Sequence, residues 1–356
     1  MAITTKIQPL NNATEIENKT PWNTQNDNKM EKNHDDNEND KGKDKKCLKT
    51  LLKPILFCMA LSGCYNFSDI YYKHQSENKK VTKLYVFSMT YRIMTLVLLI
   101  LVLTKYIVTG FHSPEYEIMT ISSTIWASLI VAILLVNFKQ TSTKYGHYKQ
   151  AFKLWEEKII PGGEELGMEC PVDKIKHRVI IVSIVAMAFA ILNTVAVGLM
   201  MTIHAGEFYL YPFEDTWWSR MLILAVSLLA SLTWTIPQAN AAVLCKSLSA
   251  VFISFNKFFK QTIMENNGTF PPNFKKMQIL HLNLCKLVEE LDSDFGLFFA
   301  TDIGFSILLC LFVLYQMIKI TMDTVSFVSF GFWFASGIAI ISIASIFSAQ
   351  TNILVC

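Results

Sequence analysis

The chain alternates long apolar runs with more polar connections, and six of the runs are long enough to cross a bilayer. A hydrocarbon core of about 30 Å requires about 20 mostly apolar helical residues. Only the first run, with Arg92, and the fifth, with Asp302, contain a charged residue. The pattern predicts an all-α, polytopic transmembrane helical bundle of at least six spans: Leu84–Leu103, Ile118–Phe138, Val179–Ile203, Met221–Leu244, Phe295–Ile318 and Val325–Phe347.

Composition divides the rest of the chain. The first 46 residues are rich in Asn, Asp, Glu and Lys and have too little apolar surface to offset the entropy of ordering. A further apolar run, Ile55–Phe67, is too short to span and is expected at the interface or packed against the bundle. The predicted segments are a disordered cytoplasmic tail (1–46), an interfacial or re-entrant segment (47–83), four spans (84–240), a cytoplasmic helical connection (241–294), two more spans (295–347) and a cytoplasmic end (348–356).

The distribution of Lys and Arg predicts the orientation. The connections Lys139–Arg178 and Cys245–Asp294 are rich in Lys, and the first also contains Arg178, whereas Thr109–Glu117 and Thr202–Thr216 contain neither Lys nor Arg. Loops rich in Lys and Arg remain in the cytoplasm. The amino terminus and both basic connections are therefore expected inside the cell.

The sequence contains no motif of a known catalytic site. It has no Gly-x-Ser-x-Gly elbow, no phosphate-binding glycine-rich loop and no paired-histidine metal helix. We expect no enzyme activity, cofactor, metal or nucleic-acid partner. A secondary transporter or another seven-helix receptor is the alternative to the assignment made below, although no internal repeat is visible and a rhodopsin-like receptor would need an outside amino terminus.

A ligand site inside such a bundle requires aromatic faces and a few polar groups. The outer halves of the predicted spans contain both, and ordinary helix packing explains the same residues equally well. The candidate ligand-binding residues are Trp126, Asn193, Thr202, Asp302, Tyr315 and Trp333.

Two charged side chains lie within predicted spans. An ionisable group at membrane depth is a functional hypothesis by default, because its burial is costly unless it is paired. Asp302 is the stronger case, and the alternative is a structural carboxylate bonded to a Thr or Asn of a neighbouring helix. Arg92 lies nearer the inner interface, where its long side chain is expected to snorkel towards the headgroups.

The connection before the fifth span predicts an amphipathic helix. Apolar residues recur at helical spacing from Lys275 to Leu291, with Lys and Glu between them. This apolar stripe needs a partner, either the chain's own Trp155 or Phe258 region or the same helix in a neighbouring subunit. The candidate assembly residues are Leu280, Leu284, Leu287 and Leu291.

The segment His281–Leu291, the pair Phe295-Gly296 and the aromatic-rich span that ends at Tyr315 resemble the region of the fifth transmembrane helix in insect-type gustatory receptors. The resemblance covers about Leu51 to Phe347 and rests on the order and spacing of loose motifs. The other features that agree with it are the Leu51–Leu56 segment that leads to Gly63, the basic stretch Tyr148–Trp155 and the long connection after the fourth span.

The resemblance implies a ligand-gated cation channel in the plasma membrane, surrounded by membrane lipid and built as a homo- or hetero-tetramer of related subunits. A small-molecule tastant would enter a pocket on the outer side of one subunit, and the seventh helices of four subunits would line the pore. That helix carries the family's Thr-Tyr signature, and no such helix follows Phe347. We expect the segment 348–356 to be a truncated end, the alternative being a short form that does not conduct by itself.

Overall fold

The computed structural model describes residues 47–71, 79–112, 117–142, 147–202, 206–319 and 324–355; the predicted tail lies outside these ranges. All regular structure within them is helical, which confirms the all-α class. The helices are α1 (Leu48–Leu51), α2 (Lys53–Leu61), α3 (Phe67–Tyr71), α4 (Lys79–His112), α5 (Glu117–Ser142), α6 (His147–Leu154), α7 (Ile160–Leu166), α8 (Val172–Thr202), α9 (Gly206–Leu210), α10 (Trp217–Glu265), α11 (Phe274–Lys319) and α12 (Thr324–Val355), with a π-helical turn at Trp155–Ile159.

Six helices, α4, α5, α8, α10, α11 and α12, are long and apolar enough to cross a membrane. This confirms the six predicted spans and makes the chain a multi-pass membrane protein. Large apolar side chains such as Phe87, Met94 and Ile184 are exposed on the outside of the bundle, as contact with lipid requires.

Two helices extend far beyond the predicted spans. Helix α10 has 49 residues and α11 has 46. At about 1.5 Å per residue each is about 70 Å long, more than twice the thickness of the hydrocarbon core. The connection predicted at 241–294 is therefore built mostly from the continuation of α10 and the beginning of α11, as a two-helix extension of the bundle.

Helix α10 lies at the centre of the bundle and packs against α2, α5, α8 and α12. Polar side chains at several positions along α10 form hydrogen bonds to neighbouring elements. The Thr233 hydroxyl donates to the Ser62 carbonyl at 3.0 Å, and the Asn240 amide donates to the Tyr148 hydroxyl at 2.6 Å. Such bonds matter because a bilayer offers no water to replace them.

The short apolar run before the first span packs inside the bundle. Ile55, Leu56 and Met59 on α2 are buried, and α2 contacts α8 and α10. Of the two positions considered for this run, packing against the bundle is the one observed. Helix α2 ends at Leu61, and Gly63 two residues later has a φ of +77°, which lets the Cys64 amide donate to the Met59 carbonyl at 2.9 Å.

Arg92 does not snorkel to the interface, so that expectation was wrong. Its side chain is fully buried, and Nε donates to the Gly63 carbonyl at 3.1 Å. One terminal nitrogen donates to the Thr141 hydroxyl at 2.7 Å, and the guanidinium lies 4.3 Å from the centre of the Phe138 ring. The Gly63 carbonyl, just after α2, gives the guanidinium an internal partner, so Arg92 joins the end of α2 to α4 and α5.

The stripe on α11 packs inside its own chain. Leu280, Leu284, Leu287 and Leu291 are buried in the same apolar cluster as Trp155, with Phe258 packed against it. The chain's own core is thus the partner of the stripe. The prediction that these four residues form an assembly surface is corrected, because their side chains are already covered.

Replacement of Gly63 by alanine is expected to destabilise the fold by about 1–3 kcal/mol, since a left-handed φ is unfavourable for alanine and the new Cβ would lie 3.0 Å from Thr95 Cγ2. The control is Gly304→Ala on α11, where a Cβ meets nothing within 4 Å. This change should leave stability equal or slightly higher, because alanine favours a helix. Thermal unfolding of the purified full chain measures both. Equal midpoints for the two variants would contradict the role assigned to Gly63.

Candidate functional site

A cavity of about 60 Å³ lies inside the bundle, at the end opposite the two basic connections. All six spanning helices and the short helix α9 contribute to its wall. The lining residues are Tyr106, Met119, Ser122, Ser123, Trp126, Asn193, Val197, Tyr209, Ser227, Trp234, Leu309, Val313, Phe330 and Trp333.

Three helices are connected across the cavity by a chain of hydrogen bonds. The Trp333 indole on α12 donates to Asn193 Oδ1 on α8 at 2.8 Å. Asn193 Nδ2 donates to the Ser231 hydroxyl on α10 at 2.7 Å, and that hydroxyl donates to the Ser227 carbonyl at 2.7 Å. These bonds fix the orientations of the Trp333 and Asn193 side chains, so one wall of the cavity is pre-organised.

Helix α9 closes one side of the cavity. Its residue Phe208 stacks on Tyr106 with ring centres 5.8 Å apart, and its residue Tyr209 lines the cavity. The Lys105 ammonium donates to the Tyr209 carbonyl and lies 4.9 Å from the centre of the Tyr106 ring. Burial raises the pKa of the Tyr209 phenol well above its ordinary value, so this side chain stays neutral.

The structure brings three of the six predicted ligand-binding residues together: Trp126, Asn193 and Trp333 line the same cavity. The other three lie elsewhere. Thr202 is exposed and its hydroxyl donates to the Leu199 carbonyl, while Tyr315 is half exposed on the bundle surface. Tyr315 follows the lining residue Val313 by two positions, which places the two on different faces of α11.

Asp302 is buried but does not line the cavity. Its Oδ1 accepts a hydrogen bond from Gln238 Nε2 on α10 at 2.9 Å. The alternative considered for Asp302, a carboxylate bonded to a neighbouring helix, describes its position, although the partner is a glutamine and not a threonine or asparagine. Asp302 joins α10 to α11.

Sequence reasoning missed Tyr106, Tyr209, Ser122, Ser227 and Trp234. The two serines and Trp234 lie within predicted spans, and polar or amphipathic residues in an apolar run were a usable signal. Tyr209 lies in the predicted outer connection and reaches the cavity only because α9 folds over it. Which faces of six helices converge depends on helix pairing, which the apolar pattern does not specify.

No protein-family model matches this chain, and no curated protein matches it. The class that the fold and the cavity define is a multi-pass helical membrane protein with a cavity among its spanning helices.

Replacement of Trp333 by phenylalanine is expected to lower stability by about 1–2 kcal/mol, because Asn193 Oδ1 loses the donor that satisfies it. The matched control is Trp218→Phe, since Trp218 is 77% exposed. We expect the midpoint of thermal unfolding to fall for the first variant and to stay unchanged for the second. A loss of similar size in both would show that the general loss of an indole, and not the bond to Asn193, sets the effect.

Proposed function

We propose that this chain is a chemosensory receptor of the gustatory type, which binds a small-molecule tastant in the cavity from the extracellular side. The observation that carries the proposal is a cavity lined by aromatic rings and a fixed polar chain, with wall residues from all six spanning helices. Such walls are typical of small-molecule sites. The order of motifs from Leu51 to Phe347 that resembles insect-type gustatory receptors supports the same assignment.

The chemistry of the cavity favours binding over catalysis. The described residues that line it are aromatic, apolar, serine or asparagine, and none of them is an acid, a histidine, a cysteine or a lysine. A serine nucleophile is normally activated by an adjacent base, and such a base is normally one of these groups. A receptor, which returns its ligand unchanged, needs only shape and hydrogen bonds.

The continuity of the helices favours a receptor over a secondary transporter. Transporters commonly bind substrate at the unwound middle of broken helices. Each spanning helix described here is continuous through its apolar segment, and α10 continues even through Pro237. The cavity therefore lies between continuous helices and not at a break within one.

In the complete tetrameric form, homomeric or with related subunits, we propose that ligand binding opens a cation pore at the plasma membrane. A ligand shifts such an equilibrium only by its difference in affinity for the closed and open states. A cavity bounded by six helices and α9 fits this role, because any relative movement of the helices changes its shape. With the amino terminus in the cytoplasm, the cavity and α9 lie in the outer half of the bundle.

Ligand binding is tested by adding a panel of small tastants to the purified full chain in lipid nanodiscs and measuring thermal stability. We expect a saturable rise in the unfolding midpoint with at least one compound, since a ligand that binds only the folded state stabilises it. A cavity-filling variant, Ser123→Phe, should abolish the rise. The matched variant Leu308→Phe, on an exposed face of α11, should keep it. A rise that survives in Ser123→Phe would place binding elsewhere and contradict the proposed site.

The orientation is tested at the sequon Asn267-Gly268-Thr269. Asn267 is exposed at the end of the two-helix extension, so a glycosyltransferase could reach it if this end lay outside the cytoplasm. Because that extension is predicted to be cytoplasmic, we expect no glycan in a eukaryotic expression host. The variant Glu214→Asn, which creates a sequon in the connection before α10, should be glycosylated. A glycan on Asn267 would contradict the proposed orientation, because it would place this end of the protein outside the cytoplasm.

A further inference from the structure

We propose that the cavity selects a neutral, mostly apolar molecule that carries a hydrogen-bond acceptor, such as a small ketone, and that the acceptor binds at the Trp234 indole. The inference rests on the proposed function, since it names the class of ligand for the same cavity. Its basis is one unpaired hydrogen-bond donor, the pairing and lack of charge of other side chains in the wall, and the volume of the cavity.

Trp234 carries the unpaired donor. Its side chain is almost fully buried, it lines the cavity, and its Nε1 has no hydrogen-bond partner among the described residues. Its ring is packed against Phe189, with ring centres 6.3 Å apart. A buried N–H group without an acceptor is unfavourable, more so at membrane depth. A ligand acceptor that reaches hydrogen-bond distance of Nε1, in the plane of the indole ring, would remove that cost.

Three other polar side chains of the wall, those of Trp333, Asn193 and Ser122, already have partners. Trp333 donates to Asn193, and Asn193 donates in turn to Ser231. The Ser122 hydroxyl donates to the Ile118 carbonyl at 3.0 Å, so its proton is used within its own helix. A ligand therefore gains more from bringing an acceptor to Trp234 than from competing for these three paired groups.

Charge is excluded from the ligand by the same wall. None of the described lining residues is ionisable at neutral pH, and a charge enclosed without a counter-charge pays a large desolvation penalty. Two ionisable groups of the spanning helices are bonded within the protein: the Lys105 ammonium donates to the Tyr209 carbonyl, and Asp302 accepts from Gln238. An ammonium or carboxylate ligand would have no partner in the cavity.

The space restricts the ligand to a small molecule. One water molecule needs about 10–15 Å³ of cavity, so a cavity of about 60 Å³ holds a ligand of only a few heavy atoms without movement of the wall. A five-membered ring with one carbonyl is a suitable probe.

The test compares cyclopentanone with methylenecyclopentane, which has the same shape but no acceptor, and with cyclopentylammonium. Dissociation constants are measured from the unfolding midpoint of the full chain in nanodiscs, with Ser123→Phe as the filled-cavity control for partitioning into lipid. Trp234→Phe keeps an aromatic ring and removes the N–H. We expect the preference for ketone over alkene to fall about 10-fold in Trp234→Phe, and the ammonium not to bind either protein.

A second measurement needs no variant. In wild-type protein labelled with ¹⁵N-tryptophan, cyclopentanone should shift one indole N–H resonance downfield, as a new hydrogen bond does, and methylenecyclopentane should not. The inference is overturned if the ketone shifts no indole resonance, or if Trp234→Phe folds and keeps the full preference.

The outcomes also separate this inference from the proposed function. One outcome is that ketone and alkene both bind saturably, Ser123→Phe abolishes both, and no preference depends on Trp234. The cavity then remains a ligand site, and only the inference that an acceptor binds at Trp234 fails. If neither these probes nor any tastant binds, both proposals fail together.

Discussion

The structure depends on the pairing of buried polar groups along one central helix. Helix α10 presents Ser231, Thr233, Gln238 and Asn240 to four different neighbouring elements, and each has a partner there. Each such bond contributes little in a membrane, about 0.6 kcal/mol on average. Their collective effect is on geometry, because a rotation or a one-residue shift of α10 would unpair all four at once. The bonds therefore specify how the apolar helices pack, which apolar contact alone leaves open.

The same requirement explains where the cavity lies. Ser227, Ser231, Trp234 and Gln238 follow one another at spacings of four, three and four residues, which places them on one face of α10. Ser231 is bonded to α8 and Gln238 to α11, whereas the Trp234 indole between them has no partner among the described residues. The face is thus paired on both sides of Trp234. Ser227 and Trp234 of this face line the cavity, so the polar pairing that holds the bundle also positions part of the cavity wall.

The number of membrane-spanning helices and most of their bounds follow from hydropathy. Crossing a bilayer imposes a minimum apolar length that each span must satisfy locally. Three of the fourteen residues that line the cavity were also predicted, since Trp126, Asn193 and Trp333 are conspicuous in apolar surroundings. The errors share one cause. Arg92 was expected to snorkel, and the stripe of α11 was assigned in part to a second subunit, because their partners lie far along the chain. Helix periodicity shows that a face is buried but not what covers it.

The position of Trp234 also bears on how a ligand would influence the protein. An acceptor bound there lies beside the α10 face that is bonded to α8 through Ser231 and to α11 through Gln238. It would strengthen the arrangement in which those helices lie at their present distance from α10, and would lose its bond if they moved apart. Ligand binding shifts a conformational equilibrium only through such differential contacts. A ligand that merely filled the apolar space would distinguish the two states less sharply, because apolar contact tolerates small displacements whereas a hydrogen bond weakens steeply with distance and angle.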